Sequence, residues 1–202
     1  KTGEAGPSAW QTVLVDAGSA LARPADPYAF GYRFGGWKLR GADGSLADYD
    51  FGAPVASDLV LAGTLAMEVD VDVPIQAKAT VDAAGAWSPG EVEFRSLTPA
   101  TVRVAGVSGE LAPHAGELFP SGANGIGLLV DAGSSLGRVF PGDASRTSAG
   151  LAAELAPAAP GAPSLLPCSI AVEPNGAQVS YQPGNGMTSF ARLSWTIEVA
   201  VP

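Results

Sequence analysis

The chain has 202 residues, 47% of them hydrophobic, with 26 Gly, 17 Pro, one His, one Cys and a net charge of −9. That apolar content excludes a wholly disordered chain, and the acidic balance opposes phosphate backbones, so no nucleic-acid partner is expected. With one His, one Cys and only 15% charged residues, the usual acids, bases and nucleophiles of catalysis are scarce.

In chain order, Lys1 stands where an initiating Met would, and an N-terminal piece is expected to have been removed by export, maturation or cloning. Thr12–Asp16 reads as a short strand ended by Ala17-Gly18-Ser19. Tyr28, Phe30, Tyr32 and Phe34 alternate with small residues and Arg33, which predicts one strand with four rings on one face. Trp37, Lys38, Arg40, Tyr49 and Phe51 follow closely. The row of rings either packs inward as core or faces outward as a subunit interface or a glycan platform. Tyr28, Tyr32, Trp37 and the later Trp195 are the binding or interface candidates. Asp43, Asp48 and Asp50 lie near Gly44 and Ser45, but their spacing does not match a calcium loop, and they read as a surface turn.

Met67–Val73 alternates, with Val69, Val71 and Val73 expected inside and Glu68, Asp70 and Asp72 outside. Glu91–Arg95, Thr101–Val107, Ile126–Asp131, Ser169–Glu173, Ala177–Tyr181 and Thr188–Val201 carry the same strand signature. Ser88-Pro89-Gly90, Pro174-Asn175-Gly176 and Pro183-Gly184-Asn185-Gly186 supply turns. Ser148 before Ala149–Leu155, with Pro157 beyond, predicts one short helix. Four prolines between 157 and 167 predict an extended connector. Three regions follow: a main domain over 1–155, a connector over 156–163, and C-terminal strands over 164–202. The last region presents Leu193, Trp195, Ile197, Val199 and Val201 on one face, and is expected to complete the sandwich and to lie near a neighbouring subunit.

Residues 13–23 echo 128–138, each holding an Asp-Ala-Gly-Ser string, which admits either a duplicated β unit or coincidence. Asp131-Ala132-Gly133-Ser134-Ser135 resembles the phosphate hairpin of the actin-like nucleotidases over those five residues. Without that family's long helices and second loop, it reads as a strand running into a turn. Cys168 has no disulfide partner and reads as a small buried hydrophobe, and its only histidine partner for catalysis is His114. Ser134 or Ser135 lacks the strand–turn–helix setting of a serine nucleophile. Glu91 and Glu93 share a strand face, but a glycosidase needs two carboxylates converging from different strands.

The fold class expected is all-β: an antiparallel β-sandwich or jelly roll with one short helix. No catalytic residue, metal or cofactor is expected. No apolar run approaches the roughly 20 residues of a membrane-spanning helix. The function expected is a non-enzymatic structural protein of a symmetric assembly, in concrete form a bacteriophage capsid decoration or jelly-roll coat protein, in a virion or extracellular. Its partners would be further copies or other assembly subunits. The alternative is an extracellular module that binds glycans or a surface partner.

Overall fold

A computed structural model describes residues 11–82, 84–112, 127–140, 146–173 and 191–200. The described residues are all-β, and none of them forms a helix long and apolar enough to cross a membrane. Every strand pairing among them is antiparallel. The chain divides into two compact units, Lys1–Val69 and Asp70–Pro202.

The N-terminal unit holds β1 (Tyr32–Arg40), β2 (Leu46–Asp48) and β3 (Leu61–Met67) in the order β2-β1-β3. The C-terminal unit holds β4 (Val71–Asp72), β5 (Thr80–Val81), β6 (Trp87–Ser88), β7 (Gly90–Ser96), β8 (Val102–Leu111), β9 (Gly127–Asp131), β10 (Leu136–Val139), β11 (Arg146–Leu155), β12 (Ser164–Glu173) and β13 (Ala191–Val199). One sheet runs β10-β9-β12-β7-β4 and another β11-β8-β13, with β5 and β6 forming a separate small ribbon.

The two larger sheets share one core. Phe94, Val130, Val139, Cys168, Ile170 and Val172 from the first are clustered with Val102, Val104, Val107, Leu151, Ala153 and Leu155 from the second. This is an antiparallel β-sandwich, and period-two alternation builds it: in β12, Cys168, Ile170 and Val172 are buried while the residues between them are not. Phe94 and Trp195 meet edge to face across the core, with ring centroids 4.9 Å apart. In β8 the inward residues Val104 and Val107 are three apart. The register shifts between them against both neighbours, so a bulge keeps both valines inside.

Four sequence expectations are corrected. Ala149–Leu155 is no helix but the second half of β11. Leu151, Ala153 and Leu155 are buried and Ala152 and Glu154 exposed, so pairing with β8 and burial at period two override the alanine-rich helix propensity. Thr12–Asp16 forms no strand and is mostly exposed. Met67–Val73 is not continuous: β3 ends at Met67, β4 starts at Val71, and Val69 and Val73 are exposed. Only Val71 packs against the core, because of the three valines it alone pairs with β7, opposite Ser96. Tyr28 and Phe30 precede β1, Phe30 within a turn in which Tyr32 N–H bonds Ala29 C=O and Gly31 has φ 71°, and Tyr28 just before it.

The β12 and β13 strands pair with β7, β9 and β8, and residues 156–163 join β11 to β12 with a single bridge, Ala159 to Ala162. The echo survives as turn geometry alone. Gly18 and Gly133 both adopt positive φ, but only the second copy follows a strand. Ala177–Tyr181, both Asn-Gly turns and His114 lie outside the described residues.

Candidate functional site

The N-terminal sheet is two-faced. Cross-strand partners lie on the same side, and the pairings Tyr32–Met67, Phe34–Leu65, Trp37–Gly63 and Leu39–Leu61 therefore form one apolar face. Arg33, Lys38, Arg40 and Thr64 take the other. Phe34 and Trp37 are three residues apart and still share a face because the register shifts between Phe34 and Gly36. Their rings meet edge to face at 5.6 Å. Gly63 lies beneath them: a β-carbon there would come within 3.2 Å of Phe34 and 3.4 Å of Trp37. The Trp37 Nε1–H is buried and finds no acceptor among the described residues.

This unit covers its apolar residues poorly. Ala29 is the one buried hydrophobic residue among its described residues, while Leu14 is 95% exposed and Tyr28 84%, and Val13, Leu46, Val60, Leu65 and Val69 are exposed as well. A shallow groove of about 570 Å³ runs beside the end of β1, lined by Leu39, Arg40, Tyr49, Val55, Leu59 and Val60. Tyr49 packs edge to face on Phe51 at 4.9 Å.

The candidate residues are thus dispersed. Tyr28 is exposed just before the turn that leads into β1, Tyr32 and Trp37 lie half-buried on the apolar face, and Trp195 belongs to the other unit and packs into its core. The acids near residue 45 are separately engaged. Asp43 accepts from the Ser45 hydroxyl and, at 3.0 Å, from Ser45 N–H, which together hold its carboxyl below the ordinary range, Lys38 pairs with Asp48, and Asp50 accepts from Gly52 N–H. Asp131 Oδ1 caps its own turn through Gly133 N–H at 2.9 Å, and Ser135 Oγ accepts from Ala152 N–H.

Cys168 is buried. Burial first, then the Asp131 and Glu91 carboxylates, push its thiol up to about 11, so it stays protonated at neutral pH and is a poor nucleophile. Those two carboxylates come from different strands: Glu91 of β7 and Asp131 of β9 both lie opposite Ser169 of β12, in one row across the outer face. Sequence reading misses this row because only cross-strand register creates it. It also misses Leu61, Leu65 and Met67, although their alternation with small residues was there to be read.

No family model, curated protein or solved structure matches the chain.

Proposed function

We propose that the chain is a non-enzymatic structural subunit of a symmetric assembly. One observation carries the reading: the exposed large hydrophobic residues concentrate in the N-terminal unit, whose described residues include a single buried hydrophobic, Ala29. Apolar surface of that kind is stabilised when a partner covers it. The thiol of Cys168 is unsuited to nucleophilic attack, and the acids near residue 45 are each tied to a local partner.

In its concrete form the subunit is a bacteriophage capsid decoration or coat protein. That finer reading rests on low charge and abundant Gly and Pro. The rival reading, a glycan-binding module, is favoured by the exposed ring of Tyr28. Light scattering of the purified chain over a micromolar concentration range tests the proposal. Particles of several subunits are expected. A monomer at every concentration, retarded on a polysaccharide gel, would transfer the case to the rival.

A further inference from the structure

The sheet edges of this protein differ in how they are defended. Natural edges are blunted by shortness, charge or bulges. Here β2 has three residues and carries Asp48, β4 has two and carries Asp72, and β10 has four and carries Arg138. The longer edges β11 and β13 carry Glu154, Arg192 and Glu198, and both run along the bulge of β8. The β3 strand also runs along a bulge, that of β1, but it is neither short nor charged. Its seven residues, Leu-Ala-Gly-Thr-Leu-Ala-Met, hold no charge and no proline, and among the described residues it pairs on one side only, with β1.

The hydrogen-bond pattern says which groups point outward. Arg40 N–H bonds Val60 C=O, and Glu68 N–H bonds Gly31 C=O, so the even-numbered residues of β3 face β1. By alternation, the N–H and C=O groups of Leu61, Gly63, Leu65 and Met67 face away from it.

We propose that β3 is the contact between two copies of this chain, pairing antiparallel with itself across a two-fold axis at Thr64. This deepens the assembly reading above and rests on it. In that register Leu61 lies opposite Met67 of the second copy and Gly63 opposite its Leu65, so all the outward backbone groups pair. The apolar faces of the two sheets become continuous. On the other face Ala62 meets Ala66 of the second copy, so no like charges oppose each other. Charge complementarity favours a copy of this chain as the occupant. Arg40 has no ion-pair or hydrogen-bond partner for its side chain among the described residues, and it is level with Val60. In the two-fold register Val60 lies opposite Glu68 of the second copy, on the same face; Arg33 of its own copy holds Glu68 Oε1 at 2.8 Å, which leaves Oε2 to meet Arg40. Two strand spacings are roughly 10 Å, which a guanidinium and a carboxylate span by reaching toward each other.

The test is the association midpoint of the full chain by light scattering, with circular dichroism melts to establish folding. A62K/A66K places lysines opposite lysines and is expected to weaken association by about 100-fold or more. A62K/A66E places a lysine of each copy opposite a glutamate of the other and is expected to restore it. In the wild type, exchange of the Leu61, Gly63, Leu65 and Met67 amides should slow as concentration rises, a readout that needs no variant to fold. A wild-type monomer at all concentrations overturns both the assembly reading and this contact. An oligomer whose association ignores A62K/A66K in a folded variant, or whose β3 amides exchange independently of concentration, overturns the contact and leaves the assembly reading in place. Failure of A62K/A66E to restore association overturns the two-fold register.

Discussion

Replacing Gly109 with alanine should strain the sandwich core. A β-carbon at this position of β8 would stand 2.5 Å from Phe140 Cζ, 2.7 Å from Val139 Cγ1 and 2.9 Å from Phe140 Cε2. Neither neighbour can swing into solvent, since both are fully buried. Phe140 is further held by its backbone, which has φ 59° and donates its N–H to Thr147 Oγ1 at 2.6 Å. Overfilling a packed core costs about 1–3 kcal/mol, and three contacts this short put the substitution at the upper end. Removing a strand glycine returns roughly 0.5–1 kcal/mol. The net loss is about 2 kcal/mol, which for a chain of this size lowers Tm by about 4–8 °C. Differential scanning calorimetry measures it. Gly150→Ala is the control, because a β-carbon there meets nothing within 4 Å, and its Tm should hold or rise slightly. Phe140→Leu should cost less in the Gly109→Ala background than alone. Equal melting of wild type and Gly109→Ala would refute the reasoning.

Cys168 should resist iodoacetamide at pH 8 in the native protein and react on unfolding, followed by mass spectrometry, because its thiol is buried and pushed up to about 11. Fast native labelling would contradict the packing. Arg138 donates twice to Glu173, at 2.6 and 2.8 Å, and this holds the Glu173 carboxyl below its ordinary range. The pair's stabilisation is therefore full above the ordinary Glu pKa and is lost as pH falls through the lowered value. Glu173→Gln should lower Tm at pH 7, and the gap from wild type should close in acid. Trp195→Ala removes the ring packed on Phe94 and should cost about 3 kcal/mol by urea titration, because Trp195 is only half-buried. Deleting Ser164–Pro202 removes β12 and β13 from the two sheets of the sandwich and should yield aggregated product on gel filtration.

The fold class was legible because alternation at period two is a direct imprint of a half-buried strand, as in Ser169–Glu173 and the run around Trp195. Alternation failed where tertiary pairing decides. Val69, Val71 and Val73 look alike in sequence, but only Val71 is held against the core, beside the strand that its neighbour Asp72 and Val71 itself pair with. Ala149–Leu155 satisfies a helix cap rule and an alternation rule together, and β8 selects the strand. Bulges were illegible. They let Phe34 and Trp37, or Val104 and Val107, share a face at a spacing that strict alternation forbids. Of the four candidate residues, Tyr32 and Trp37 do share the apolar face. Trp195 drew notice on the alternating apolar face of the last strand and serves the core of the other unit.

The central place of β12 has a consequence for biosynthesis. It lies between β7 and β9, yet it is translated well after both. At about 5–20 residues per second, the roughly 75 residues from the end of β7 to the end of β12 take about 4–15 s to make. Throughout that interval β7 has only the two-residue β4 beside it, and the β9–β10 hairpin has no place in the sheet. Pairing over so long a separation also puts this unit among slow folders, in the range of milliseconds to seconds after release. The form of this protein most exposed to aggregation in the cell is therefore the nascent chain that has not yet reached Ser164.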